Sequence, residues 1–311
     1  MTQATDPVCY RHPSRVTYLR CSRCDRPICP DCTNDAAVGQ HCPECARVRS
    51  GPPARTAFGG TLSGQHGHVV KILIGINVAV AVLAFLVGGV RAAGGAGWGG
   101  LLGGNTPLHD WGAMITGPAL DPRTLEVVGV ADGEYYRLIT SMFLHYGAFH
   151  LLLNMWALWV VGGVLEPLLG RLRFLALYLV SGLGGSVAVY LTAGAEVEAF
   201  GRPLFGSMNT LTAGASGAVF GLFAAFYVVL RRLRRDTSMI TMILVINLIF
   251  TFTVPNISVA GHLGGMITGG LIAVGLAYAP RQHRTAVQVA AVSSILVILV
   301  ALTALRTISL T

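Results

Sequence analysis

Charge is scarce in this 311-residue chain: Asp, Glu, Lys and Arg together make up 12% of it, while 53% is hydrophobic. Ordinary soluble domains carry about 25% charged residues, so the shortage excludes a protein that lives wholly in water. Lysine is all but absent, with Lys71 alone among 22 basic residues. Arginine in its place, beside abundant Ala and Gly, is what a GC-rich bacterial genome encodes. Cysteine is missing beyond position 45; all seven cysteines lie within the first 45 residues. The first 68 residues also lack the apolar run of a signal peptide, which leads us to expect that they stay in the cytoplasm. A net charge of +8 could suggest nucleic acid. Here the arginines flank apolar segments, as they do on the cytoplasmic side of membrane proteins, and no nucleic-acid partner is expected.

Those apolar segments dominate what is present. A helix crossing ~30 Å of hydrocarbon needs about 20 residues, and seven stretches approach or reach that length: Val69–Val90, Phe149–Leu169, Phe174–Ala193, Leu211–Leu230, Met239–Val254, Ile257–Ala279 and Ala286–Leu305. They predict an all-α polytopic protein of the lipid bilayer, expected in the plasma membrane. With the N-terminus inside, Arg171, Arg173, the run Arg231, Arg232, Arg234, Arg235, and Arg281 and Arg284 all fall on the inner side, as the positive-inside rule requires. The first outer connection, 91–148, is long enough to imply structure of its own.

The N-terminal cysteines come in pairs with a histidine completing the set: Cys9-x2-His12, Cys21-x2-Cys24, Cys29-x2-Cys32 and Cys42-x2-Cys45. A two-residue gap lets both members of a pair reach one tetrahedral Zn²⁺. Four pairs supply two closed sites, so two structural zinc ions are expected. A disulfide framework would need an oxidising compartment and would strand one of seven cysteines. The alternation resembles cross-brace modules such as B-box fingers, which implies that Cys9, His12, Cys29 and Cys32 share one ion and Cys21, Cys24, Cys42 and Cys45 the other. His41 is an alternative to Cys42. So small a domain draws much of its folding energy from metal, and its expected role is regulation or binding of a cytoplasmic protein.

Polar groups inside spans are costly and mark function by default. Four stand out: His150, Asn154, Ser216 and His262. Ser216 adjoins a small-residue stripe, Gly217, Gly221 and Ala225; His262 adjoins another, Gly261, Gly265, Gly269 and Ala273. Such stripes let two helix backbones close together, which would bring Ser216 and His262 within reach of each other. At 1.5 Å per residue Ser216 should lie roughly 6–9 Å inside its span. His150 and Asn154, spaced i, i+4, share one helical face near the same outer level.

Taken in order, Tyr136-Arg137-Leu138-Ile139-Thr140-Ser141-Met142-Phe143-Leu144-His145, His150-x3-Asn154, Glu166-x3-Gly170-Arg171, Gly214-Ala215-Ser216-Gly217 and Gly261-His262-Leu263-Gly264-Gly265-x3-Gly269 resemble the rhomboid intramembrane serine proteases over roughly 69–280. The resemblance implies a 6+1 rhomboid-like seven-helix bundle; with the cysteine-rich N-terminus, the expected organisation is a zinc-binding domain (1–48), a linker (49–68), a six-helix protease core (69–280) and a seventh helix with the C-terminus (281–311). It implies that Ser216 attacks the scissile bond of transmembrane protein substrates and His262 takes its proton. The oxyanion hole would be His150, Asn154 and the Ser216 N–H, and no cofactor would be needed for catalysis. Two positions depart from the family pattern: Tyr136 stands where Trp is usual, and Phe220 where Tyr is frequent. Neither removes a catalytic group.

The other polar residues are expected to serve structure. Arg137 should anchor the first loop at the membrane surface, and His145 should tie that loop to the helices. Glu166 and Arg171 should brace the inner turn, and Asn77 and Asn247 should bond between helices. The short fifth span and the brief Pro255–Asn256 connection lead us to expect that this helix moves to admit substrate.

Overall fold

The computed structural model describes residues 6–36, 39–47, 56–60, 67–89, 104–120, 127–199 and 201–310. It divides into two compact units, Met1–Ala54 and Arg55–Thr311. The first holds two antiparallel ladders, Val8–Cys9 with His12–Val16 and Asn34–Asp35 with Gln40–His41, followed by the short helix Pro43–Arg47. Its buried hydrophobic residues are Cys9, Cys21, Ile28, Cys29, Cys32 and Cys42, so its apolar interior is nearly all sulfur. Surface pairs such as Arg20–Asp25 add little to so small a core.

The second unit is built from long helices: α1 (His68–Gly88), α2 (Gly147–Leu169), α3 (Arg171–Thr192), α4 (Ser216–Arg232), α5 (Ser238–Thr253), α6 (Val259–Ala277) and α7 (Arg284–Leu310). They correspond one for one to the seven expected spans. By length and composition α1, α2, α3, α6 and the α7 segment can cross a bilayer; α5 is apolar but only 16 residues long. Large side chains such as Leu152, Trp156, Leu172, Met239, Ile267 and Val297 stay exposed on the outside of the bundle, where lipid rather than water is their natural solvent.

Two expectations shift. Helix α4 begins at Ser216 and not at Leu211, because Gly214 sits at φ +140°, outside helical space. Ser216 is therefore the first residue of its helix and not several ångströms inside it. Helix α7, at 27 residues, runs past both ends of the expected 286–305.

Glycine sets the centre of the bundle. A Cβ on Gly265 would lie 2.0 Å from the Gly217 carbonyl oxygen, and one on Gly269 would lie 2.4 Å from Gly221 Cα. From α3, a Cβ on Gly185 would stand 2.7 Å from the Gly261 carbonyl and 3.4 Å from Gly217 Cα. Three backbones thus meet directly at Gly185, Gly217 and Gly261, one residue from Ser216 and one from His262. In lipid, where apolar contact alone gives helices little reason to associate, this close van der Waals packing holds them.

At the other end, buried Glu166 accepts hydrogen bonds from the N–H groups of Val69 (3.0 Å) and Val70 (2.9 Å). Its carboxylate thereby satisfies donors that the start of α1 would otherwise leave unpaired, a structural role as expected. Of the expected linker, residues 56–60 pack within this unit: Phe58 is buried, and Thr56 donates to the Leu168 carbonyl at 2.5 Å. Asn77 and Asn247 differ from expectation. Their amides donate to Leu73 and Ile243 at 2.8 Å, back into their own helices.

The long connection between α1 and α2 does carry structure: the helix Pro107–Gly112, the ladder Ala119–Leu120 with Val127–Val128, and the helix Arg137–Thr140. Arg137 is 2% exposed and so lies inside this loop, not at its surface. Its guanidinium bonds Glu134 at 2.6 Å and the carbonyls of Asp110 and Ala113 at 2.9 Å. Five N–H donors on one rigid fork suit arginine to gathering several acceptors in this way.

Candidate functional site

The segment entering α4 is clamped from both sides. Gly214 N–H donates to the Ser141 carbonyl at 2.9 Å, and Ala215 N–H donates to His145 Nε2 at 3.4 Å. Just upstream, Met114 and Thr212 exchange N–H···O bonds of 2.8 and 2.9 Å. His145 does tie the first loop to the helices, and its partner is the very turn that delivers Ser216. The first bond of α4 runs from Val219 N–H to the Ala215 carbonyl. The N–H groups of Ser216, Gly217 and Ala218 therefore precede it, at the positive end of the helix dipole.

His262 lies on the first turn of α6, after Ser258, whose hydroxyl accepts from Gly261 N–H at 3.1 Å. Its ring stacks on Phe220, with centroids 4.0 Å apart and planes 18° apart. Phe220 stands one turn below Ser216 on the same face of α4. The stack, together with the close approach of Gly217 to Gly261, where a Cβ on Gly217 would lie 3.2 Å from the Gly261 carbonyl oxygen, sets the imidazole on the side of α4 that bears Ser216. Among the described residues no hydrogen bond joins Ser216 to His262. Such contacts often tighten only around a bound substrate.

His150 and Ser216 converge on Gly214. A Cβ there would lie 2.9 Å from His150 Nε2 and 3.6 Å from Ser216 Oγ, so only glycine leaves the space between them open. Asn154, buried one turn further along α2, donates one amide hydrogen to the His150 carbonyl at 2.9 Å; among the described residues the second amide hydrogen has no partner. His145 and His150 meet edge to face at 5.0 Å.

One residue escaped the sequence reading. Thr251, fully buried on α5, bonds His262 Nδ1 at 2.7 Å and donates to the Asn247 carbonyl at 2.8 Å. A threonine in an apolar helix is ordinarily read as bonding back to its own backbone, and eleven residues of separation gave no hint of His262. Asn247, four residues earlier, was the available signal that this face of α5 is polar.

In the N-terminal unit, the ligand atoms of Cys9, His12, Cys29 and Cys32, and those of Cys21, Cys24, Cys42 and Cys45, lie within 4.8 Å of one another. His12 Nδ1 is 3.9, 3.3 and 3.4 Å from the sulfurs of Cys9, Cys29 and Cys32, and Cys24 and Cys42 sulfurs are 3.8 Å apart. Bonds of ~2.3 Å to a tetrahedral ion give ligand separations of roughly 3.8 Å, so both sets fit. The grouping is the alternating one that the cross-brace resemblance implies, and His41 stays on its strand outside both. Burial raises the Cys9 and Cys21 thiols, but backbone N–H groups aimed at the sulfur outweigh it and hold both at about 6. Burial first, then neighbouring thiols, push Cys32 up to about 11 and Cys45 to about 12. Thiols so close cannot all ionise without a cation among them.

The bundle and its contents define a class: a multi-pass helical membrane protein with a serine and a histidine set on glycine-packed neighbouring helices. Residues 132–279 match the Rhomboid domain family. Rhomboid protease GluP of Bacillus subtilis is 38% identical over 173 residues, 52% of this chain and 31% of GluP. The B. subtilis protein YdcA is 36% identical over 174 residues, 53% of this chain and 77% of YdcA. Rhomboid protease AarA of Providencia stuartii is 29% identical over 171 residues, 50% of this chain and 60% of AarA. The chain belongs to the rhomboid family. Its match spans less than a third of the first of these relatives, and the two metal-ligand clusters lie outside the Rhomboid match.

Proposed function

We propose that this chain is an intramembrane serine endopeptidase that cuts transmembrane segments of other membrane proteins with a Ser216–His262 dyad. The observation that carries the reading is the Phe220 stack, which holds the His262 ring against the face of α4 that starts with Ser216. Ser216 Oγ attacks the scissile carbonyl while its proton passes to His262 Nε2. The oxyanion takes hydrogen bonds from Ser216 N–H, His150 and Asn154, all aimed at charge that appears only in the transition state. Collapse expels the amine, which leaves with the proton held by His262. Water, deprotonated at the same nitrogen, then hydrolyses the acyl-enzyme. No cofactor enters these steps.

The site opens to the outer aqueous phase, with the N-terminal unit on the cytoplasmic side. The arginines of the inner turns support that orientation. Substrates are single-pass segments with small, helix-weakening residues near the outer face, since an intact helix hides its carbonyls. They enter past α5, of whose residues only Ile240 and Thr251 are buried. The two N-terminal clusters hold structural zinc, and residues 1–48 bind a cytoplasmic partner or regulate the core at 69–280; the linker 49–68 and the seventh helix with the C-terminus, 281–311, complete the chain.

Cleavage of a model transmembrane substrate by purified protein in liposomes tests the dyad. Wild type should cut, and Ser216→Ala and His262→Ala should not. Cleavage that survives Ser216→Ala would overturn the nucleophile.

A further inference from the structure

Two short bonds at the Thr251 hydroxyl point to one arrangement of protons between Thr251 and His262. A threonine hydroxyl carries a single hydrogen. The Asn247 carbonyl can only accept, so at 2.8 Å it takes that hydrogen. Thr251 Oγ1 is left with lone pairs alone for His262 Nδ1, 2.7 Å away. With the hydroxyl hydrogen given to Asn247, the hydrogen of this second bond comes from the imidazole. A neutral ring with its proton on Nδ1 has its lone pair on Nε2, and among the described residues Nε2 has no hydrogen-bond partner.

We propose that Thr251 is a positioning residue that fixes His262 as the Nδ1–H tautomer and so presents Nε2 to Ser216 as the base. The inference rests on the dyad reading above and adds to it the group that orients the base. In serine–histidine–aspartate enzymes a carboxylate does this work, and a wrong tautomer can cost ~10⁴ in kcat. Here a neutral hydroxyl does it, with its own direction set by a backbone carbonyl one turn away. A carboxylate buried at this depth would carry a heavy desolvation penalty; a hydroxyl relay carries almost none. Phe220 packs the ring face and Thr251 holds its edge, so both the rotation and the tautomer of His262 are specified.

The blander alternative is that Thr251 merely bonds back to its own helix. Thr251→Val, close to isosteric, removes the acceptor, while Thr251→Ser keeps it. We expect kcat for a transmembrane substrate to fall about tenfold in Thr251→Val, the worth of roughly one hydrogen bond. KM should be unchanged, and Thr251→Ser should stay within about twofold of wild type. Imidazole ¹⁵N spectra of the wild-type chain in micelles, assigned by loss of the signal in His262→Ala, should show Nδ1 protonated and Nε2 bare. An Nε2–H tautomer in the wild type, or wild-type kcat in a folded Thr251→Val, would overturn the proposal. Should Thr251→Val not fold, the wild-type spectrum decides alone. Cleavage surviving in Ser216→Ala would sink the dyad instead, and the spectrum would still decide the role of Thr251.

Discussion

Gly217 and Gly265 face each other so closely that a Cβ on Gly265 would stand 2.0 Å from the Gly217 carbonyl oxygen. The obstacle is backbone, which cannot swing aside as a side chain would. Gly265→Ala must therefore push α6 away from α4, with an overpacking cost of about 1–3 kcal/mol. The shift also carries His262 away from Ser216, and misplacement by ~1 Å can cost 10²-fold in rate. We expect cleavage to fall at least tenfold while thermal unfolding shows a folded but weakened bundle.

Gly214→Ala acts at the site itself. The position has φ +140°, and the new Cβ would lie 2.7 Å from His150 Cε1. Backbone strain of this sort costs on the order of 1–3 kcal/mol. Cleavage should drop ~10²-fold with a smaller loss of stability than for Gly265→Ala, because α4 and α6 still fit. Equal damage to both properties would mean that Gly214 serves the fold alone.

Asn154→Ala should weaken the enzyme without silencing it. One oxyanion donor is worth ~10²–10³ in kcat, and Ser216 N–H and His150 remain. A variant with no detectable turnover would place Asn154 in the fold, where its bond to the His150 carbonyl at 2.9 Å already has a structural part.

The N-terminal unit should bind two metal ions per chain, one per cluster. Cys9→Ser and Cys21→Ser should each remove one, as read by metal analysis of the purified protein. Chelation should make residues 6–47 protease-sensitive, since metal supplies most of the folding energy of so small a domain. A chain that keeps both ions after Cys21→Ser would refute the second cluster.

The knot around Arg137 should loosen in acid. Burial raises the Glu134 carboxyl, but hydrogen bonds from Arg137, Tyr136 and the Gly129 N–H outweigh it and hold it below its ordinary value of 4.5. A depressed carboxyl contributes stability that is full above its unfolded value and is lost as the pH falls through the folded one. Thermal stability should therefore decline below about pH 4.5, and Glu134→Gln should flatten that decline. An unchanged pH profile in Glu134→Gln would remove Glu134 from the account.

Much of this was legible because the bilayer imposes length and a metal-ligand set imposes spacing. Seven apolar runs gave seven helices, and alternate pairs, Cys9-x2-His12 and three of Cys-x2-Cys, gave the two clusters. The stripes Gly217–Gly221 and Gly261–Gly265–Gly269 announced which helices would touch. What stayed hidden depended on contacts between distant segments. Gly214 ended a run that hydropathy alone extended to Leu211, since an apolar count is blind to φ. Arg137 reads as a surface cation until the carbonyls of Asp110 and Ala113 fold round it. Asn247 reads as a tie between helices, whereas it hands its carbonyl to Thr251, and Thr251 carries no signal of its own.

The glycine junction has a mechanical consequence. Side chains can trade one rotamer for another and let neighbouring helices slide, but glycines have none to trade. Helices α3, α4 and α6, locked at Gly185, Gly217 and Gly261, behave as a single anvil with Ser216 and His262 fixed on its face. Whatever yields when a foreign helix is fed in must be a leaf hinged to that anvil. On the proposed reading, the stiffness that keeps Ser216 and His262 aligned leaves the give to helices outside this junction.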